Sequence, residues 1–146
     1  MNSYIKLKER QQEEINALPM GFAFSQSQFD AMMKGWGLDP KKDLDKIYKM
    51  GFAGGFFQKK DSDLIHGTFD RHEKESADAI AADKDGEGYI YEMFLYELDN
   101  HEFSYTGDCT DALMALGYTV DDVFESPALK RGLEKAVTEI RRRQAE

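Results

Sequence analysis

A carboxylate and an imidazole, Glu97 and His101, stand four residues apart near the end of a predicted helix. Helical residues with this spacing lie on one face, so the two could act as an acid–base pair or bind a metal ion. Asn100, Glu102 and Tyr105 add hydrogen-bonding groups, and we call these five residues the polar cluster. A lone pair of titrating groups is a weak catalytic signal, and buried polar groups also fix helices in place. The cluster therefore predicts a structural network first and a catalytic or metal site second.

A second candidate is an acidic, glycine-rich run that starts at Asp83. Asp83, Asp85 and Glu87 occupy positions one, three and five of a calcium-binding EF-hand loop, and Gly88 occupies position six. Such a loop needs a bidentate glutamate at position twelve, where this chain has Phe94. Without that ligand too few oxygens remain to replace the water shell of calcium. The run therefore favours a turn between two helices over a divalent-metal site.

A third candidate lies on one face of a predicted long helix, where His66, Asp70 and Glu73 follow the spacing i, i+4, i+7. Such a set could bind a divalent metal. The chain has no HExxH motif and no second histidine one turn away, so an exposed polar helix face is the favoured interpretation. Because no catalytic motif is complete, we expect a protein that acts by binding rather than by turnover, without a cofactor.

Charge is unevenly distributed along the 146 residues, whose net charge is −9. Residues 1–60 and 127–146 each carry a net charge of +3, whereas residues 61–126 hold 18 acidic and 3 basic side chains. A segment this acidic repels nucleic acid phosphates and attracts cations or basic protein surfaces. Solvated acidic helices would show the same pattern. We therefore expect no direct nucleic acid binding and, if the segment binds anything, a partner with a basic surface.

The composition predicts a cytoplasmic protein. Cys109 is the single cysteine, so no intrachain disulfide can form. No apolar run approaches the roughly 20 residues that a membrane-spanning helix needs. Residues 1–16 are polar and charged and lack the apolar core of a signal peptide.

The apolar periodicity predicts a mainly helical α+β fold, a single domain over residues 1–146 with one small β-hairpin or sheet. The strands of the hairpin are expected at Lys46–Met50 and Phe56–Gln58, on either side of a glycine turn. The helix from about Tyr89 to Phe103 is apolar nearly all round, which is typical of a central, buried helix. The other predicted helices cover residues 3–18, Ser25 or Ser27 to Gly37, Asp61 or Ser62 to about Ala82, Asp108 or Thr110 to Gly117, one turn capped by Thr119 and Asp122, and a last helix capped by Ser126.

Several segments together carry a family resemblance: Lys8–Gln12, Asn16–Pro19, Phe22–Ser25, Tyr96–Phe103, Tyr105–Asp108, Ala115–Thr119 and Gly132–Ala136. They resemble a family of small uncharacterised proteins found in bacteria, often on prophages and other mobile elements. The resemblance spans nearly the whole chain. It implies an intracellular, accessory role and no particular catalytic residues.

Two classes of function follow from the sequence. The first is a small acidic cytoplasmic accessory protein that binds a host or element-encoded protein through its acidic helices. The alternative is a divalent-metal-binding protein or a metal-dependent enzyme that uses Glu97, His101 and their neighbours. The charge distribution favours the first class.

Overall fold

The computed structural model describes residues 2–51 and 54–146. The predicted mainly helical α+β fold with one small sheet is confirmed. The helices are α1 (Ser3–Asn16), α2 (Gln26–Gly35), α3 (Ser62–Ala82), α4 (Tyr89–Asn100), α5 (Phe103–Thr106), α6 (Thr110–Ala115), α7 (Val120–Glu125) and α8 (Pro127–Gln144); the strands are β1 (Met20–Phe22), β2 (Ile47–Lys49) and β3 (Gly55–Gln58).

The chain divides into two compact units. Unit 1 consists of Met1–Gln12 and Glu73–Glu146, and unit 2 consists of Glu13–His72. The boundaries between them fall within the helices α1 and α3. The single domain over residues 1–146 stays a prediction.

Unit 1 is built around α4, which contacts α5, α6 and α8. The side chains of Ile90, Met93, Phe94 and Leu98 are buried, and their spacing of three and four residues places them along the inner side of a helix. Their neighbours in the core come from α1 and α5–α8: Tyr4, Phe103, Ala112, Leu113, Val123, Leu129, Leu133, Ala136 and Ile140. The predicted burial of this helix is therefore confirmed.

Local capping fixes where two helices of unit 1 begin. Thr119 and Asp122 form the predicted capping box at the start of α7, with Thr119 Oγ1 accepting a hydrogen bond from Asp122 N at 3.1 Å. Ser126 caps α8 by accepting from Leu129 N at 3.3 Å, and Pro127 occupies the first helical position. Both predicted starts are confirmed.

The end of α4 differs from the prediction. The helix ends at Asn100 rather than Phe103, because His101 leaves the helical conformation and Glu102 adopts a left-handed one with φ 58°. A left-handed residue that is not glycine ends a helix. Phe103 then begins the short helix α5 and points its ring into the core.

Unit 2 contains the sheet, whose strand order is β1-β3-β2 with both pairings antiparallel. The predicted strands at Lys46–Met50 and Phe56–Gln58 pair as β2 and β3, and the structure adds β1, which the sequence did not predict. Gly21 of β1 lies against α2 so closely that an added Cβ would stand 2.5 Å from Met32 Sδ. Phe29 of α2 also contacts Phe56 of β3, with ring centroids 5.3 Å apart. The sheet is thus packed on α2.

The first half of α3 also belongs to unit 2. Ile65 and Thr68 are buried there, and so is His72, whose Nε2 lies 2.9 Å from Glu14 Oε2 of α1. The Glu14 carboxylate thus gives the buried imidazole a polar partner.

Candidate functional site

Glu97 of the polar cluster is buried in unit 1, with 4% of its surface exposed. No hydrogen bond reaches its Oε1 atom from the part of the chain that the structure describes. The Lys8 ammonium lies 4.0 Å from this oxygen. A buried carboxylate is costly unless a positive charge or hydrogen bonds compensate it, so Lys8 is its electrostatic support.

Two tyrosine rings hold the Lys8 ammonium beside Glu97. Its Nζ lies 5.3 Å from the ring centroid of Tyr4 and 5.4 Å from that of Tyr96. Both distances are within the range of a cation–π interaction. Burial, and then the nearby Glu97 charge, raise the pKa of Tyr4 above its ordinary value. We call Tyr4, Lys8, Tyr96 and Glu97 the lysine clamp, which joins α1 to α4.

The other members of the polar cluster do not join Glu97. Asn100, Glu102 and Tyr105 are exposed, with Tyr105 at 89%. His101 is half-buried, and no side-chain hydrogen bond connects it to Glu97 among residues 2–51 and 54–146. The structure thus buries Glu97, leaves Asn100, Glu102 and Tyr105 at the surface, and places His101 between these extremes.

The loop that resembles an EF-hand uses its first carboxylate to begin α4. Asp83 Oδ2 accepts hydrogen bonds from Gly88 N at 3.1 Å and Ile90 N at 2.8 Å. Asp85 Oδ1 accepts from Glu87 N at 2.8 Å, and this bond holds the pKa of Asp85 below its usual value. Two of the three predicted metal ligands therefore satisfy backbone amides of the loop itself.

Basic side chains of α8 bind the outer carbonyls of the same loop. Arg131 Nη1 donates to Asp85 O at 3.1 Å, and Lys135 Nζ donates to Glu87 O at 3.2 Å. The left-handed turn falls on Gly86, with φ 78°, rather than on Gly88 at the EF-hand glycine position. The arrangement is that of a loop anchored to α8.

The third candidate set lies on exposed helix surface. His66, Asp70 and Glu73 are all exposed on α3. Within the described residues, no group of three or more His, Cys, Asp or Glu side chains is placed to hold a metal ion. Metal binding by this set, or by Asp83, Asp85 and Glu87, stays a prediction.

The structure adds a surface that the sequence did not single out. Met114 on α6 and Val120 and Phe124 on α7 are 69%, 46% and 56% exposed. Val120 and Phe124 are four residues apart and share one face of α7. Asp121 and Glu125 directly follow Val120 and Phe124, and Asp111 lies three residues before Met114; all three carboxylates are exposed. We call the whole set the acidic–apolar surface: Asp111, Met114, Val120, Asp121, Phe124 and Glu125.

The three carboxylates of this surface are unengaged. Asp111, Asp121 and Glu125 make no side-chain hydrogen bond or ion pair within the described part of the chain. Neighbouring acidic residues are occupied: Asp122 closes the capping box of α7, and Asp108 accepts from Thr110 N at 2.9 Å. One cation reaches the edge, since Lys130 Nζ lies 5.4 Å from the ring centroid of Phe124. Residues 85–129 contain no lysine or arginine, against 11 aspartates and glutamates. That gap in the sequence is the signal that could have indicated the surface.

Comparison with known proteins identifies the family. Residues 3–139 match the model of a family of unknown function (DUF7659). The chain belongs to this family. The resemblance to an uncharacterised family is thereby confirmed. No curated protein and no solved structure matches the chain.

The family match extends over both units. It includes the lysine clamp, the loop anchored to α8 and the acidic–apolar surface. Among the described residues, no helix is both long and apolar enough to cross a membrane.

Proposed function

We propose that this protein acts by binding a partner protein that presents a basic, amphipathic surface, and that it does so through the acidic–apolar surface. One observation carries the proposal: Met114, Val120 and Phe124 are exposed next to unengaged carboxylates, in a stretch without lysine or arginine. Exposed apolar side chains that are grouped and bordered by charge are typical of interaction sites. A basic amphipathic segment satisfies both features at once.

The two kinds of side chain have different tasks in this proposal. Burial of the apolar groups supplies affinity, at about 25 cal/mol for each Å² removed from water. The carboxylates speed up the encounter and select against acidic partners. The same negative charge disfavours nucleic acid and anionic membrane surfaces as direct partners.

A cytoplasmic, accessory role is part of the proposal. The single cysteine supports a reducing compartment, because no intrachain disulfide contributes to stability. The sequence resemblance implies a bacterial, prophage or mobile-element source, so the partner we propose is a host or element-encoded protein. The alternative, metal binding or catalysis at Glu97 and His101, has less support because the Lys8 ammonium lies beside Glu97.

The test measures binding of a defined probe to the full chain. The probe is a fluorescent synthetic helix of lysine and leucine in a heptad pattern, compared with the same helix in which glutamate replaces lysine. We expect saturable fluorescence anisotropy with the lysine helix only. Replacing Asp111, Asp121 and Glu125 by their amides should weaken binding about threefold to tenfold, as expected for exposed charges. Replacing Val120 and Phe124 by alanine should weaken it further, because the buried apolar area is lost.

A matched variant separates a site from mere net charge. Asp45, Asp63 and Asp70 are exposed in unit 2, so their replacement by asparagine changes the charge equally at another place. That variant should bind like the unmodified protein at equal ionic strength. If both triple variants weaken binding equally, the probe responds to net charge and not to a particular site. If the Val120 and Phe124 substitutions do not weaken binding, the exposed apolar side chains do not contribute to affinity. Either result contradicts the proposal.

A further inference from the structure

Unit 2 contains a cleft of about 570 Å³ that no part of the proposed function uses. It lies between the β2–β3 hairpin and the first two turns of α3. Sites for small molecules occupy about 300–1,000 Å³ and are mostly apolar with a few polar groups. The size of this cleft therefore suits a small organic molecule.

Aromatic rings form its floor and sides. Phe57 and Ile65 are buried at the floor, at 6% and 2% exposure. The ring of Tyr48 lies 5.6 Å from that of Phe57, and the imidazole of His66 lies 5.9 Å away in an edge-on orientation of 76°. Phe57 thus contacts two exposed rings, those of Tyr48 and His66. Such surroundings favour a flat aromatic ring, because aromatic groups stack or meet edge to face at these distances.

The polar groups of the lining favour an anion. Ser62 and His66 bring a hydroxyl and ring nitrogens from one face of α3. Lys59 brings an ammonium, with its Nζ 4.9 Å from the ring centroid of Tyr48. None of these three side chains has a hydrogen bond or ion pair within residues 2–51 and 54–146, and no carboxylate is present among the described lining residues. A bound carboxylate would find donors here and no negative charge in the lining.

We infer that this cleft binds a small planar aromatic molecule that carries a carboxylate. The ring lies on Phe57 beside Tyr48 and His66, and the carboxylate faces Lys59 and Ser62. This site is independent of the acidic–apolar surface, which belongs to unit 1.

The experiment titrates the full chain with naphthoate and follows backbone amides by heteronuclear NMR. Naphthamide, which keeps the ring without the charge, and cyclohexanecarboxylate, which keeps the charge without the ring, are the comparison probes. We expect saturable shifts with naphthoate at residues 47–50, 57 and 62–69, and binding of each comparison probe that is about threefold or more weaker.

Variants distinguish the ring from the carboxylate. Lys59→Gln should weaken naphthoate about threefold to fivefold and leave naphthamide unchanged, since an exposed charge contributes little more than this. Lys60→Gln, an exposed lysine outside the cleft, is the matched control. Tyr48→Ala should weaken naphthoate and naphthamide alike; Tyr48 is 46% exposed, so the fold should tolerate its loss.

Four outcomes would overturn the inference. Shifts that do not saturate below about 10 mM naphthoate would show that no site of this class exists. Equal affinity for naphthoate and naphthamide would exclude the carboxylate, and shifts confined to other residues would place the binding elsewhere. The fourth outcome has two parts: naphthoate causes no shifts, and without ligand the signals of the cleft broaden as the protein concentration rises. That result would show that the cleft binds a second copy of the chain.

Discussion

The Glu97 carboxylate is buried, and the free energy of its burial depends on Lys8. We expect Lys8→Met to lower the free energy of unfolding by about 1–2 kcal/mol, because it keeps the aliphatic contact but leaves the carboxylate without its cation. This expected loss is smaller than that for a fully buried ion pair, because the Lys8 side chain is 48% exposed to solvent. Urea denaturation followed by circular dichroism measures the difference.

The control for this prediction is Lys6→Met, an exposed lysine on the same helix. Glu97→Gln in the Lys8→Met background should recover part of the lost stability, since a neutral amide needs no cation. His101→Ala should cost less than Lys8→Met, because His101 is half-buried and not bonded to Glu97. Equal midpoints for the Lys8 and Lys6 variants would mean that the lysine clamp contributes nothing.

Tyr89 makes stability depend on pH in the alkaline range. Burial, with a smaller contribution from Tyr118, raises the pKa of Tyr89 to about 12, against 10.0 for an ordinary tyrosine. The unfolded chain therefore loses this proton first. The stabilising contribution is complete below about pH 10 and is lost as the pH rises through about 12.

Tyr89→Phe should therefore lose less stability between about pH 7 and pH 11 than the unmodified protein does. Tyr4 and Tyr118 also have raised pKa values, so part of the loss will remain. Urea midpoints at the two pH values give the comparison, and Tyr105→Phe, with its exposed ring, is the control. The same pH dependence for both variants would contradict a buried, protonated Tyr89.

Among the elements, the loop at residues 83–88 and α8 fit together through two glycines. A Cβ on Gly86 would stand 1.9 Å from Ala128 O, and the residue also has a positive φ. A Cβ on Gly132 would stand 2.5 Å from Ile90 Cγ2 and 2.7 Å from Gly86 O. We expect Gly86→Ala and Gly132→Ala each to cost at least about 2 kcal/mol of stability, from strain and overpacking.

Gly67→Ala is the matched control for both glycines. Gly67 lies inside α3 with open space around it, so alanine should stabilise the helix by about 0.5–1 kcal/mol. Thermal or urea unfolding should rank Gly67→Ala as more stable than the unmodified protein, and Gly86→Ala and Gly132→Ala as less stable. A neutral Gly86→Ala would show that the loop does not lie against α8 as described.

The cap made by Asp83 gives a prediction about calcium. Because this carboxylate binds amides and Phe94 replaces the bidentate ligand, calorimetric titration should show no micromolar calcium site. Asp83→Ala should lower stability by about 1 kcal/mol, as loss of a helix cap does, with or without calcium. A micromolar isotherm that Asp83→Ala abolishes would restore the EF-hand interpretation.

The elements that the sequence predicted are those with local causes. The caps at Thr119 and Ser126 and the pairing of β2 with β3 depend on residues that are close to each other in the chain. The strand β1 was missed because its three residues become a strand only by pairing with β3, more than 30 residues later. The end of α4 was missed because Glu102 adopts a backbone conformation that its residue type disfavours.

The candidate site was less predictable for the same reason. The residue types from Asp83 to Phe94 predicted a turn rather than a calcium site. They could not predict how the turn is anchored, because Arg131 and Lys135, which bind Asp85 O and Glu87 O, lie on α8, more than 40 residues away. Likewise, Lys8 and Glu97 meet only after folding. The acidic–apolar surface is defined by exposed side chains on α6 and α7. These helices have six residues each, which is too short for the sequence pattern to show which apolar residues face solvent.

For the whole molecule, the charge distribution opposes compactness while it supports the proposed binding. Residues 85–129 carry 11 carboxylates without a lysine or arginine, so their mutual repulsion lowers stability at low ionic strength. The Debye length falls from about 30 Å at 0.01 M salt to about 10 Å at 0.1 M. The melting temperature of the unmodified protein should therefore rise over this range.

Glu125 is the residue where stability and binding should separate most clearly. It is exposed at the last position of α7, where the helix dipole disfavours a negative charge, and Asp121 stands four residues before it. Glu125→Gln should raise stability by about 0.3–1 kcal/mol at low salt, with a smaller gain at high salt, and should weaken binding of the lysine–leucine helix. Glu134→Gln is the matched control, because Glu134 lies 4.0 Å from Lys130 and its neutralisation removes an attraction. If Glu125→Gln destabilises the protein or leaves binding unchanged, this carboxylate is not held on the surface at a cost in stability, and the proposed site loses one of its members.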